Sequence, residues 1–189
     1  MKNLYRKDIS QEEAEKAIKT IITWIGEDSN REGLIDTPKR VLKSYLEKFD
    51  GYNIDPKDIL STSFSETNNY KGVITLSNIE IESTCEHHLA PIIGKTSVSY
   101  IPRNKVVGIS KLARVVEVFS HRLQLQERLT SQIAHVINEC LSPKGVAVII
   151  KAKHHCICYR GVLHRKTMME TSCFLGEFEQ KPEIIPKLK

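Results

Sequence analysis

The sequence predicts an α+β protein in which helices cover one face of a sheet, preceded by a helical N-terminal region. Two observations carry this. Apolar residues recur at helical spacing over the N-terminal quarter, and from Gly72 onward they switch to strand-length runs broken by proline, glycine and asparagine. The order that follows, β-β-β-α-α-β-β, is that of a sheet backed by helices. At 189 residues the chain can build one sizeable core. The change of texture divides it into an N-terminal helical region with its connection, residues 1–71, and a main domain, residues 72–189.

The elements follow in order. Ser10 with Glu13 three residues later is a capping-box start, and Ala17, Ile18, Ile21, Ile22 and Ile25 then share one helical face. Thr37-Pro38 reads as a cap followed by proline at the first helical position, with Val41, Leu42, Tyr45, Leu46 and Phe49 on one face and Gly51 just past the end. Residues 52–71 are polar and turn-rich, a long connection of the kind that serves as a functional loop or an interface element. Strands are expected at 73–81, 95–101 and 106–109. Ser110 should cap a helix carrying Leu112, Val115, Val116 and Phe119. A second helix carries Leu125, Leu129, Ile133, Val136, Ile137 and Cys140. Pro143-Lys144-Gly145 turns into a largely apolar strand at 146–152, and a last strand is expected around 171–178.

Composition narrows the function. No apolar run is long enough to cross a bilayer, and Met1-Lys2-Asn3-Leu4-Tyr5-Arg6-Lys7-Asp8 lacks the apolar stretch of a signal peptide, so a cytoplasmic protein with no membrane partner is expected. A net charge of +5 suits either a nucleic-acid binder or an enzyme for a polyanionic small molecule. Aromatics are only 6% of the chain and no basic tract is interleaved with them, which speaks against a nucleic-acid partner. Of five cysteines, Cys85, Cys156 and Cys158 sit beside histidines or each other, pointing to metal chemistry over disulfides. Cys140 and Cys173 read as packing residues.

Two clusters of soft-metal ligands stand out: Cys85-Glu86-His87-His88, and His154-His155-Cys156 with Cys158. Thiolate and imidazole are the donors Zn²⁺ prefers; a site with three protein ligands is usually catalytic and one with four structural. An extended backbone would pair Cys85 with His87 and a turn would pair it with His88; Pro91 favours a turn, and both pairings stay open. If the strand before it continued through 152–159, His154, Cys156 and Cys158 would share one face. Basic residues fall at helical spacing in two places, Arg40 with Lys43 and Lys111 with Arg114. The segment Gly108-Ile109-Ser110-Lys111 could present a helix N-terminus to a phosphate. The glycine spacing is not that of a Walker motif, and a solvated charged face is the plainer alternative. Glu127 either complements a helix dipole or accepts two parallel N–H bonds, such as those of guanine's N1–H and 2-amino group.

Taken together, Ser83-Thr84-Cys85-Glu86-His87-His88, Gly108-Ile109-Ser110-Lys111-Leu112-Ala113-Arg114, Gln124-Leu125-Gln126-Glu127-Arg128-Leu129-Thr130 and His154-His155-Cys156 with Arg160-Gly161 closely resemble GTP cyclohydrolase I. The stretch from Arg31 to Val41 is similar to that family's N-terminal signature. The resemblance covers nearly the whole chain. It implies a tunnelling fold, an antiparallel sheet backed by paired helices, and a homodecamer of two stacked five-membered rings with active sites at subunit boundaries. The implied reaction converts GTP and water to formate and 7,8-dihydroneopterin triphosphate, the first step towards tetrahydrofolate or biopterin. It makes Cys85, His88 and Cys156 the zinc ligands, His87 and His154 the acid/base pair, and Glu127 the guanine anchor. Arg40, Lys43, Ser110, Lys111, Arg114 and Arg160 are implied for the triphosphate and its surroundings.

Two departures from the family pattern bear on the site. Met169 and Cys173 stand where threonine is commoner, which touches the packing beside it. Cys158 keeps a rival in view, because Cys85, His88, Cys156 and Cys158 would make a closed structural zinc site in a non-catalytic module. A third reading is a related tunnelling-fold enzyme such as the nitrile reductases of queuosine synthesis. Those need a nicotinamide cofactor, and the chain carries no dinucleotide fingerprint.

Overall fold

The computed structural model of the chain describes residues 8–65 and 70–184. The signal-peptide reading of the first residues, and positions 66–69 of the 52–71 connection, lie outside the described residues. Helix α1, Gln11–Trp24, opens with the expected capping box. The Glu13 N–H donates to Ser10 Oγ at 3.1 Å, and the Ser10 N–H donates to Glu13 Oε2 at 2.7 Å. Helix α2, Thr37–Lys48, starts one residue before the position expected from a Thr37 cap. Asp36 is the capping residue, and Pro38 occupies the first turn. Along α1 only Ile22 is buried, while Ile21, Trp24 and Ile25 stay exposed. The two helices pack chiefly on each other, so a stripe that periodicity marks as buried faces solvent within one chain.

The connection after α2 is more ordered than its composition suggests. It forms a 3₁₀ turn, Asp50–Asn53, and a short helix α3, Pro56–Leu60, whose Leu60 enters the core. Three bonds fasten it to the corner that follows the next helix. Asp50 Oδ1 lies 2.7 Å from His121 Nδ1, Arg122 Nε donates to the Gly51 carbonyl at 3.0 Å, and the Leu123 N–H donates to the Tyr52 hydroxyl at 3.0 Å. Gly51 allows this contact: a Cβ there would sit 2.1 Å from the Val118 carbonyl oxygen and 2.8 Å from that of His121. Gly51 lies just past the end of α2, where the sequence places it, and its role there is close approach to backbone. Gly51→Ala should therefore destabilise the fold by about 1–3 kcal/mol, seen as a lower midpoint in thermal unfolding.

The sheet has five strands in the order β3-β1-β2-β4-β5. Strands β1 (Ile74–Cys85), β2 (Pro91–Ile101), β4 (Gly145–His154) and β5 (Met169–Gly176) are antiparallel neighbours, and the two-residue β3 (Leu123–Gln124) runs parallel to the end of β1. Pro91, expected as a strand breaker, is the first residue of β2, where proline is tolerated. The strand expected at 106–109 is absent from the sheet. Val106 makes an isolated bridge to Phe64, and Ile109 already begins α4, Ile109–Ser120. Gly108 caps that helix, with its carbonyl accepting the Lys111 N–H at 2.8 Å, so Ser110 lies within the first turn and is not the cap.

Helices α4 and α5 (Gln126–Leu141) cover one face of the sheet. Leu112, Val115, Val116 and Phe119 from α4 and Leu129, Ile133, Ala134 and Ile137 from α5 pack against Ile92, Val98, Tyr100, Val146, Val148 and Ile150. Burial of these side chains, at about 1.5–3 kcal/mol each, is the main force holding the layers together. Cys140 and Cys173 pack at the margin of this core, as read from sequence. No described helix is long and apolar enough to cross a membrane.

Candidate functional site

Strand register brings the two ligand clusters to one end of the sheet. Thr84 faces Pro91 across β1 and β2, and Ile92 faces His154 across β2 and β4, so the last residues of β1 and β4 become neighbours. After Cys85 the chain makes a tight turn. The Leu89 N–H donates to the Cys85 carbonyl at 2.9 Å, and the Cys85 N–H donates to that of Ala90 at 2.8 Å. Leu89 takes a left-handed conformation, φ 52°, an uncommon state that the turn requires. The turn is thus the one of the two open geometries that forms. It brings His88 to Cys85, while His87 lies outside the group with its ring 6.2 Å from that of His88.

The turn is anchored from beneath. The Glu86 N–H donates to the Gln124 carbonyl at 3.1 Å on β3. The Glu86 carboxylate pairs with the Arg128 guanidinium, which also donates to the Leu123 carbonyl at 2.8 Å and to Gln124 Oε1 at 3.0 Å.

On the other side β4 stops at His154, so the continuation through 152–159 that would have put His154, Cys156 and Cys158 on one face does not occur. One turn of helix, α6 (His155–Cys158), follows. Within it Cys156 swings towards Cys85, and the ligand atoms of Cys85, His88 and Cys156 all lie within 4.8 Å of one another. Two residues along a helix are turned by roughly 200°, so Cys158 is carried away from Cys156 and is fully buried outside the group. The sheet-face arrangement of His154, Cys156 and Cys158 is therefore not formed. Among the described residues the group has three ligands, and the closed site lacks its fourth. Cys158→Ser should retain bound metal at the wild-type stoichiometry, measured by elemental analysis of the purified protein.

The donor set fits a divalent cation. Burial pushes the Cys156 thiol above its ordinary pKa, and the adjacent Cys85 pushes it further. Two thiolates so close repel each other, and a dication between them removes that cost. Two sulfurs with one imidazole suit Zn²⁺ and leave one tetrahedral position open.

His154 sits half-buried beside this group. Burial lowers its pKa, partly opposed by the Glu127 carboxylate, so the ring favours the neutral form. Its Nε2 lies 2.8 Å from Oε1 of Gln126. Gln126 is fully buried, and its Nε2 reaches the carbonyls of Ile150 and Met169 and the hydroxyl of Thr171 at 3.2, 3.1 and 3.0 Å. No role for this glutamine is legible in the sequence. Its one signal was its place beside Glu127, since uncharged amides carry no signature of burial. The unusual Met169 contributes its backbone carbonyl, which any side chain would leave in place.

The remaining sequence candidates divide in two. Glu127, at the start of α5, acts electrostatically on His154, and Arg160 does so on Cys156. Ser110, Lys111 and Arg114 lie along α4, with Arg114 lining a cleft with Asp50, Ile54 and Glu117. Arg40 pairs with Asp36 at 3.4 Å on α2, and Lys43 borders a groove with Ile9, Leu42 and Tyr45. Neither is a member of the cysteine–histidine group.

Comparison with known proteins gives this geometry a context. The family model described as GTP cyclohydrolase I matches residues 14–187. Relatives named GTP cyclohydrolase 1 from Maricaulis maris and Hyphomonas neptunium are each 51% identical over 175 residues, covering 93% of this chain and 85% of theirs. One from Pelagibacter ubique is 51% identical over 179 residues, 95% of this chain and 89% of its own. Among solved structures, the apo archaeosine synthase QueF-Like is similar at 21% identity with a TM-score of 0.48, covering 57% of this chain and 97% of that one. Matched over most of its length by the family model and by relatives at half identity, the chain belongs to the GTP cyclohydrolase I family of enzymes.

Proposed function

We propose that the chain hydrolyses GTP to formate and 7,8-dihydroneopterin triphosphate, with zinc held by Cys85, His88 and Cys156. The observation that carries this reading is the three-ligand group with a half-buried histidine and a carboxylate beside it, in a chain of this family. A zinc ion held by these three residues would supply Lewis acidity and water activation. His154 moves a proton to N7 of guanine, which makes C8 electrophilic, and takes part in expelling formate. His87 serves the proton transfers of ribose rearrangement and ring closure. Glu127 accepts the guanine N1–H and a 2-amino N–H as a parallel pair.

Arg40, Lys43, Ser110, Lys111, Arg114 and Arg160 hold the triphosphate, which undergoes no chemistry and serves to orient the substrate. Arg40 and Lys43, on α2, are not members of the cysteine–histidine group, and their part in the site is completed at a boundary between copies in a homodecamer. The exposed stripe of α1 suits the same assembly. The tunnelling fold of residues 72–189, the helical region of 1–71, a cytoplasmic setting and a place at the head of tetrahydrofolate or biopterin synthesis belong to this reading.

The test is to incubate purified protein with GTP, with and without a chelator, and to measure formate and the oxidised fluorescent pterin. Zinc-dependent release of both is expected. Zinc-loaded protein that yields no formate would overturn the proposal.

A further inference from the structure

We propose that Gln126 is a positioning residue that sets the tautomer of His154, holding its Nε2 protonated so that Nδ1 is the atom that accepts and returns the proton. The inference rests on the proton-transfer role proposed for His154, and the direction of the hydrogen bonds around Gln126 decides it. Carbonyl oxygens only accept, so the atom of the Gln126 amide that faces Ile150 and Met169 must be the nitrogen. The opposite amide orientation would turn an oxygen towards both carbonyls in a fully buried site, with no hydrogen between them. The amide oxygen therefore faces His154, and because it too only accepts, Nε2 of His154 carries the hydrogen.

The remaining bonds reinforce this direction. Thr130 Oγ1 lies 2.7 Å from the Gln126 carbonyl and must donate to it. With its hydrogen committed there, Thr130 accepts from Thr171 Oγ1, 2.7 Å away. Thr171, having donated, is left to accept from Gln126 Nε2 at 3.0 Å, so the two amide hydrogens serve three acceptors and one of them is shared. The bonds run one way around a closed ring from the Gln126 side-chain nitrogen to its own backbone carbonyl, through two threonines on α5 and β5. Reversing the amide would set its oxygen against the Ile150 and Met169 carbonyls and remove the donor to Thr171. A neutral imidazole with Nε2–H keeps its lone pair on Nδ1, so the scaffold chooses the reacting nitrogen before substrate arrives.

The experiment is heteronuclear NMR of the full-length, zinc-loaded protein labelled with ¹⁵N-histidine, with the His154 signals assigned by their loss in His154→Ala. The expected spectrum at a pH where the ring is neutral has a proton-bearing Nε2 and a pyridine-type Nδ1. A proton on Nδ1 in the wild-type protein overturns the proposal. Gln126→Leu should yield a mixture of tautomers and lower kcat roughly 100-fold with KM for GTP unchanged. Should that variant fail to fold, Thr171→Val opens the ring with little change of shape. It should give a partial mixture and a kcat lower by roughly tenfold. A folded variant of either kind that keeps the single tautomer and the wild-type kcat also refutes the role. Because the spectrum needs no turnover, missing formate would count against the reaction and the wrong tautomer against Gln126, separately.

Discussion

Cys156→Ser is expected to release the metal and reduce formate production to the level of chelated protein. The thiolate is one of three donors whose ligand atoms converge within 4.8 Å, and a serine hydroxyl remains protonated at neutral pH and binds Zn²⁺ poorly. Loss of a partner that merely orients a ligand weakens metal binding by about 10–100-fold, so loss of a ligand itself should exceed that range. Metal content of the dialysed variant, measured beside its rate of formate release, checks both halves. The contrast with Cys158→Ser is the sharp part. The two cysteines are two residues apart in one helical turn, yet only Cys156 belongs to the group. Retention of stoichiometric metal in Cys156→Ser would refute the three-ligand assignment.

His154→Ala is expected to separate chemistry from metal binding. The residue lies outside the ligand group, so zinc should remain at its wild-type level, while formate release should fall by about 10²–10⁴-fold, the range for a positioned general acid or base. The truncation also strands Gln126 Oε1 in a buried position, at a cost of about 1–3 kcal/mol in stability. Circular dichroism melts run alongside the assay would separate that loss from the loss of turnover. Zinc loss in this variant would show that His154 supports the metal group, and unchanged turnover would remove it from the mechanism.

Much of the site was legible because its chemistry is carried by rare residue types. Cysteine and histidine in two tight clusters, a glutamate at a helix start and basic residues at helical spacing are visible without coordinates. The elements they sit on were legible where one local rule dominates, as in the Ser10–Glu13 capping box and the apolar faces of α4 and α5. Boundaries were not. Residues 106–109 have strand composition, but among the described residues they pair only with Phe64, and the exposed Ile109 already begins α4, whose Leu112, Val115 and Val116 are the residues that pack in the core. The stripe of α1 is amphipathic yet covered by little within one chain, since periodicity records that a face is apolar and not what lies against it.

By itself, then, the sequence determined the α+β class, the identity of the metal-binding residue types and the family. Each depends on composition, spacing or motif, which are properties of the chain as a string. The tertiary structure decided what spacing alone left open, which of these side chains meet. Whether Cys85 pairs with His87 or His88 depends on a turn closed by backbone bonds to Leu89 and Ala90. Whether Cys158 joins the site depends on a strand giving way to helix at His154, which reverses the side-chain periodicity from alternate residues to a 3.6-residue turn. Gln126 entered the site by the same route, because a neutral amide becomes directional only when fixed acceptors surround it.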